Sequence, residues 1–126
     1  MIEIGIDETN AGVLQKDISD KQQISLKYLD NIIASLKTSG LIVNARGRKS
    51  GYKLARRPSE ITILDILNSF EPGISIVDCV QANYNCILRK TCGVKDFWNG
   101  LNDVIINYFV SRTLEDLINS HKSKLF

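Results

Sequence analysis

The 126-residue chain is 44% hydrophobic and 24% charged and carries a formal net charge of only +2, proportions typical of one compact globular domain. No signal peptide opens the sequence and no apolar run approaches the roughly 20 residues that cross a bilayer, so we expect a soluble, cytoplasmic protein with no membrane partner. The three cysteines are an odd number, which excludes a complete set of disulfides within one chain and favours thiols or metal ligands.

The charge is distributed unevenly along the chain. Residues 13–57 carry ten Lys or Arg against three Asp, a net of +7, whereas residues 1–12 carry −3 and residues 58–126 carry −2. Six of the sixteen basic residues lie in the thirteen positions of RGRKSGYKLARRP (46–58). This central segment indicates a surface that binds a polyanion, although a solvated basic surface would have the same composition.

The first predicted elements are two helices joined by a short turn. LQKDISDK (14–21) places Leu14 and Ile18 on one helical face. A second helix is predicted after Ser25, a favourable N-cap, and before Gly40, a favourable C-cap glycine. Its apolar residues recur at helical spacing: Leu26, Leu29, Ile32, Ile33 and Leu36. The pair has the form of a helix-turn-helix, although many helical hairpins bind no nucleic acid.

Two short strands follow, LIVNA (41–45) and GYKLA (51–55), with Arg46–Ser50 at the tip between them. Helix, turn, helix and basic hairpin in that order predict a winged helix. Its glycines are expected to let the backbone turn, and its charges to face phosphates or a minor groove. We expect Tyr52 to be a packing residue, with a DNA contact as the alternative.

The last part of the chain combines cysteines with an apolar helix. Cys79, Cys86 and Cys92 are separated by six and then five residues, and thiolates are the usual ligands of iron–sulfur clusters. Alternatively, they are three free thiols. The helix after Cys92 has more apolar surface than one small winged domain can cover: Val94, Phe97, Trp98, Leu101, Ile105, Tyr108 and Phe109. A final short helix is predicted from Thr113, with Asp116 three positions on.

The segment ISLKYLDNIIASLKTSGLIVNARGRKSGYKLARRPSEITILDIL (24–67) resembles the Rrf-two family of bacterial regulators, which includes IscR, NsrR and CymR. The resembling features are IS-x-x-YL at the start of the recognition helix, GL after it, RG-x-x-x-GY-x-LA in the wing and IT-x-x-D-I at the next helix. With a DFW segment and TLEDL near the end, the resemblance covers about residues 13–118.

This resemblance implies a mainly α winged helix-turn-helix with a two-stranded β wing and a long C-terminal dimerisation helix. Residues 1–72 would form the DNA-binding domain, 73–95 a cysteine-bearing sensor loop, and 96–126 the dimerisation helix and a terminal helix. It also implies a homodimer, although burial of the long helix within one subunit is the alternative. Members usually begin with a longer first helix, so IEIGI (2–6) would be the end of a truncated one.

The family also implies a cofactor. Cys79, Cys86 and Cys92 fall where cluster-binding members keep three ligands of a 2Fe–2S or 4Fe–4S cluster, and the alternative is a loop that has lost its cluster. Where one member supplies a histidine, this chain has Lys95, and a protonated lysine has no lone pair to give. His121 is the single histidine and is expected to be solvated in the terminal tail.

Candidate DNA contacts lie at the start of the recognition helix and in the wing. Phosphates or base edges are expected to meet Ser25, Lys27 and Tyr28. Bases are expected to be read by Asp30, through cytosine N4, and by Asn31, through adenine. In the wing, Arg46 and Arg48 are minor-groove candidates and Lys49 is a phosphate contact.

We therefore expect a sequence-specific transcription regulator of promoter DNA that senses redox state, nitric oxide or iron–sulfur status. The alternatives are a cluster-free winged-helix regulator controlled by a protein partner, or one controlled by thiol oxidation. Enzyme function is not expected, because the chain lacks GxxxxGK[ST], GxSxG and HExxH and has a single histidine.

Overall fold

A computed structural model of the protein describes residues 1–46, 51–81 and 84–125. The helices are α1 (Ile2–Ile6), α2 (Gln15–Gln22), α3 (Leu26–Thr38), α4 (Ile63–Asn68), α5 (Lys95–Ser111) and α6 (Leu114–Leu125). An antiparallel pair, β1 (Ile42–Asn44) and β2 (Tyr52–Leu54), forms the sheet, and 3-10 turns occur at Pro58–Glu60 and Asp78–Val80. The predicted winged helix-turn-helix is confirmed. No helix within these described ranges is long and apolar enough to cross a membrane.

The turn between α2 and α3 is closed by a residue in the left-handed region. Gln23 has φ +55° and ψ +42°, and its N–H donates to Ser19 O at the end of α2. The N–H of Ile24 donates to the same carbonyl at 3.2 Å. Ser25 then caps α3, because its side chain accepts the N–H of Tyr28 at 3.2 Å. Two helices are thereby joined by three residues, as the sequence predicted.

Helix α3 ends in a Schellman motif. Gly40 has φ +74°, its N–H donates to Lys37 O at 3.0 Å, and the N–H of Leu41 donates to Leu36 O at 3.1 Å. A side chain at Gly40 would be strained in this left-handed conformation. The motif turns the chain straight into β1, so the wing starts at a fixed position relative to α3.

The wing strand β2 is held on both of its edges. On one edge β1 pairs with it in the register Ile42 with Leu54. On the other, Val13 and Tyr52 exchange two backbone hydrogen bonds of 2.9 Å each. The approach is close enough that a Cβ on Gly51 would lie 1.9 Å from Val13 O. The expectation that glycine lets the backbone turn is therefore wrong for Gly51, whose φ is not positive. Instead, the absence of a side chain at Gly51 allows the backbone of Val13 to pack against it.

The hydrophobic core is built from both ends of the chain. Its buried members come from α1, α2, α3, α6 and β1, and from two connecting positions, one just before β1 and one just before α4: Ile4, Ile18, Leu29, Ile33, Leu36, Leu41, Ile42, Ile61, Leu114 and Ile118. Helix α6 packs against α1 and against the turn Pro58–Glu60. The last helix of the chain therefore belongs, by packing, with the winged unit.

The starts of α4 and α6 lie side by side and carry matching caps. Thr62 accepts the N–H of Asp65 at 3.1 Å, and the Asp65 carboxylate accepts the N–H of Thr62 at 3.0 Å. Thr113 and Asp116 form the same reciprocal pair, at 3.2 and 2.9 Å, which confirms the predicted helix start. An isolated bridge joins Thr62 to Thr113. The end of α5 is thereby fixed to the segment that follows the wing.

Candidate DNA-binding surface and cysteine loop

The first two turns of α3 present an exposed polar surface. Leu29 is buried, whereas the five candidate contacts are all exposed: Ser25, Lys27, Tyr28, Asp30 and Asn31. The Ser25 hydroxyl accepts a backbone N–H in its capping role and still has its own hydrogen to donate. The structure therefore brings together at one helix end all five residues that the sequence proposed.

Gln15 is a member of this surface that the sequence did not reveal. Its side-chain Nε2 donates to the Asp30 carboxylate Oδ1 and to Leu26 O, the latter at 3.3 Å. One oxygen of Asp30 is thus occupied, and Oδ2 is left to accept a further hydrogen bond. No spacing rule relates residues fifteen positions apart on two different helices, so this contact had no signal in the sequence.

The wing candidates are only partly covered by the structure. Arg46 is exposed immediately after β1. Arg48 and Lys49 lie outside the described residues. Tyr52 is half-buried against the core, and the Lys37 Nζ lies 5.7 Å from the centre of its ring. The expectation that Tyr52 is a packing residue is confirmed.

Ion pairs leave most of the central positive charge free. Lys21 pairs with Glu3 at 3.5 Å and Arg56 pairs with Asp65 at 3.9 Å. Within the part of the chain that the structure describes, six cations of residues 13–57 have no ion pair: Lys16, Lys27, Lys37, Arg46, Lys53 and Arg57. Charges that find no partner in the fold are available to an external polyanion.

The cysteine loop, residues 71–94, connects α4 to α5. Cys79, in the turn Asp78–Val80, is half-buried, as are Cys86 and Cys92, and all three are free thiols. Soft sulfur ligands suit iron, so the donor type fits a cluster. Their arrangement does not: no three His, Cys, Asp or Glu side chains among the described residues are placed to hold a metal ion.

The residue at the family's histidine position and the chain's single histidine lie on different helices. Lys95 is the first residue of α5. His121 is half-buried on α6, so the expectation of a solvated tail is wrong. It lines an apolar cavity of about 460 Å³ between the first three helices, α4 and α6, together with side chains such as Leu36 and Ile66. A histidine in that position is part of the winged unit.

Helix α5 has two apolar faces. Trp98, Ile105 and Phe109 are half-buried on the inner face, and α5 packs against α4. The outer face, together with the N-cap residue just before the helix, carries large exposed apolar side chains at a spacing of three, four, three and four residues. We call this set the exposed seam: Val94, Phe97, Leu101, Val104 and Tyr108. The seven-residue set predicted from the sequence is thus divided between two faces, and Val104 was missing from it. This spacing is that of a coiled-coil seam.

Comparison with known proteins identifies the family. Residues 1–120 match the family described as Rrf2, iron-dependent transcriptional regulator. The chain belongs to this family. The similarity to the Rrf-two family seen in the sequence is therefore confirmed, and the protein is a transcriptional regulator rather than an enzyme.

Named relatives and solved structures agree with this assignment. The HTH-type transcriptional regulator IscR of Photorhabdus laumondii is 29% identical over 122 residues, which are 97% of this chain and 74% of that protein. The structure of CymR, the global cysteine regulator of B. subtilis, aligns with a TM-score of 0.76 at 28% identity, over 94% of this chain and 87% of that one. The oxidized form of Staphylococcus aureus CymR gives 0.72 at 25% identity, over 93% and 85%.

Proposed function

We propose that this Rrf2-family regulator acts in the cytoplasm as a homodimer that binds a promoter operator in double-stranded DNA. The single observation that carries the proposal is the set of central cations without an ion pair among the described residues, which extends from Lys16 on α2 and Lys27 at the start of α3 to Arg46 and Lys53 in the wing. A recognition helix inserted into the major groove brings such cations to the phosphates on either side.

Each candidate residue has a role in this arrangement. Ser25, Lys27 and Tyr28 meet phosphates or base edges, and a phosphate contact positions the helix without reading sequence. Asn31 pairs with adenine, and Asp30 accepts from cytosine N4 through Oδ2 while Gln15 holds Oδ1. Sequence discrimination then depends on how Gln15 orients the Asp30 carboxylate.

The wing supplies the contacts outside the major groove. Arg46 and Arg48 enter the minor groove and Lys49 binds a phosphate. The position of Arg46 supports this role, because β2 is held on both edges and the wing therefore starts from a fixed base. An arginine on a fixed base loses less conformational entropy when it binds.

The exposed seam is the proposed dimer contact. Its side chains include Phe97 and Val104, each 64% exposed, and a seam of this spacing is covered by the same seam of a second copy. The two recognition helices then meet half-sites about one helical turn apart. Residues 73–95 form the sensor between the winged unit and this contact.

The sensor chemistry that we propose first is an iron–sulfur cluster held by Cys79, Cys86 and Cys92. When bound, such a cluster would make the regulator responsive to oxygen, nitric oxide or iron supply. The thiol donor set and the iron-dependent family description support this. The loop would have to draw the three thiols together, and Lys95 cannot serve as a further ligand while protonated.

A second sensor chemistry is thiol oxidation, and one observation favours it. The three thiols are free, partly accessible and not gathered around a common point. Reversible oxidation of a single thiol needs only access: a peroxide transfers one oxygen atom to the sulfur, giving a sulfenic acid, and the rest of the peroxide leaves as water. The similarity to a CymR structure in an oxidized form also supports this alternative.

Salt dependence tests the DNA-binding part. An operator is first selected from random-sequence duplex DNA, and its affinity is measured across salt concentrations. Replacing both Arg48 and Lys49 by Ala should flatten the log–log slope by about one unit per lost phosphate contact. Lys90→Ala, in the cysteine loop, is the matched control and should leave the slope unchanged. An unchanged slope in the double variant would remove the wing from the interface.

Anaerobic reconstitution with iron and sulfide separates the two sensor chemistries. A cluster gives visible absorbance and stoichiometric iron and sulfide, both lost in each single Cys→Ala variant, and operator affinity should change when the loaded protein is exposed to air. If the wild type takes up no iron but its affinity changes with peroxide and recovers with a dithiol, thiol oxidation is the sensor. If neither treatment changes the affinity, the sensing proposal fails.

A further inference from the structure

The cysteine loop has one long-range hydrogen bond to the rest of the molecule among its described residues. Its other hydrogen bonds are local, such as Gln81 Nε2 to Ser75 Oγ at 3.0 Å and Arg89 N–H to Cys86 O at 3.1 Å. The exception is the N–H of Ile76, which donates to Asn102 Oδ1 at 3.0 Å across 26 residues of sequence. The loop is therefore fixed to α5 near its beginning.

Asn102 is an unusual residue for its position. It is 7% exposed and is the one buried polar residue among the described residues, and it lies on the inner face of α5 between Trp98 and Ile105. Burying an amide is costly unless its hydrogen bonds are made, so an apolar residue would be the cheaper occupant of this place. The hydrogen bond to Ile76 is what the asparagine provides that an apolar residue cannot.

The bond lies beside the first cysteine. Ile76 is followed two positions later by the 3-10 turn Asp78–Val80, which carries Cys79 and packs against α5. Cys86 and Cys92 have no comparable hydrogen bond to α5 among the described residues. One end of the loop is thus fixed to the helix that carries the exposed seam.

We propose that Asn102 is the positioning residue that couples the cysteine loop to α5, by holding Ile76 and with it Cys79 against the helix. A chemical change that moves Cys79 then also displaces α5. Without the hydrogen bond between Ile76 and Asn102, the loop would move while α5 kept its position. The proposal deepens the proposed sensing function and rests on it, but its primary test needs neither DNA nor iron.

The test measures thiol alkylation in the reduced, metal-free full chain. Iodoacetamide labelling is followed by mass spectrometry, so that each cysteine gives its own rate. Asn102→Leu, similar in size but without an acceptor, should raise the Cys79 rate about five- to tenfold, as expected for loss of one buried hydrogen bond. Rates at Cys86 and Cys92 should stay within about twofold.

Two variants on the same helix serve as controls. Asn102→Gln keeps a neutral amide oxygen as acceptor and should give a Cys79 rate closer to that of the wild type than Asn102→Leu does. Asn107→Leu makes the same substitution at an exposed position of α5 and should change no rate. If Asn102→Leu leaves the Cys79 rate unchanged, or raises all three cysteines equally, Asn102 does not position this cysteine.

Hydrogen exchange of the wild type keeps the proposal testable if Asn102→Leu does not fold. The amide of Ile76 should exchange more slowly than those of Ser75 and Val77, and an equal rate would show that the bond is not held. Coupling is measured as the ratio of operator affinities before and after thiol oxidation, which should fall toward one in Asn102→Leu. If the wild-type ratio is already one, thiol oxidation is not the sensor chemistry, while the alkylation result stands.

Discussion

Replacing Gly51 by Ala should strongly destabilise the protein, because the backbone of Val13 occupies the place of the new methyl group. The Cβ would lie 1.9 Å from Val13 O and 2.6 Å from Leu14 N, whereas ordinary contacts begin at 3.4 Å. The two segments would have to separate by about 1.5 Å, and the atoms in the way are backbone atoms. A side chain could rotate away, but this strand cannot.

That separation has a calculable cost. It would stretch both 2.9 Å hydrogen bonds between Val13 and Tyr52 beyond hydrogen-bonding range. Two such bonds contribute about 1–3 kcal/mol, and forced overpacking adds about 1–3 kcal/mol, so the free energy of unfolding should fall by about 2–6 kcal/mol. For a chain of 126 residues this lowers the melting temperature by about 4 °C per kcal/mol, that is, by about 8 °C or more.

The assay is thermal and urea unfolding followed by circular dichroism at a fixed protein concentration, since dimerisation would shift both. Gly100→Ala is the matched control, because a Cβ there meets no atom within 4 Å and the residue lies inside α5. That substitution should stabilise the protein by about 0.5–1 kcal/mol. A melting temperature of Gly51→Ala within about 2 °C of the wild type would show that Val13 does not clamp the wing.

Three further outcomes are expected. Gln15→Leu should change base preference about fivefold at the one operator position that we propose Asp30 reads, and nowhere else. If the operator sequence selected by the variant is unchanged, Gln15 takes no part in base readout. Leu101→Asp should weaken dimerisation about a hundredfold or more in analytical ultracentrifugation, because dimer formation through the exposed seam would bury the new charge. Asn107→Asp, outside the seam, should leave dimerisation unchanged. If the Leu101→Asp protein is still a dimer, the exposed seam is not the dimer contact. Hydrogen bonds from the Thr9 hydroxyl, the Thr9 amide and the Gly12 amide hold the pKa of Asp7 below its ordinary value. The difference in free energy of unfolding between wild type and Asp7→Asn should therefore be constant above about pH 4 and shrink as the pH falls below it. A difference that stays constant into strong acid would contradict this.

Features set by local chemistry were predicted from the sequence, and features set by contacts between distant residues were not. Ser25 and Gly40 correctly predicted the two ends of α3, because helix caps depend on residues within one turn of a helix end. The contact of Gly51 with Val13, and that of Asp30 with Gln15, involve partners on other elements, so no periodicity in the sequence reports them. They became visible only once the elements were packed together.

Helix α5 shows a different limit of sequence reasoning. An apolar residue on an amphipathic helix looks the same whether it faces the subunit's own interior or a neighbour. Ile105 and Leu101 were therefore grouped together, although the first is half-buried and the second is 38% exposed. The sequence did not single out Asn102, which lies between them, because a single asparagine in a helix is usually exposed to solvent.

The return of α6 into the core makes the winged unit discontinuous in sequence. Leu114 and Ile118 complete a core begun by Ile4 and Ile18, and everything from residue 71 to residue 112 is inserted between these two stretches. A gene fusion that exchanged all residues after 72 would remove part of the winged unit's own core along with the cysteine loop and α5. An exchange that kept this core intact would have to replace residues 71–112 and retain both flanks. The winged unit thus behaves as a host domain into which residues 71–112 are inserted.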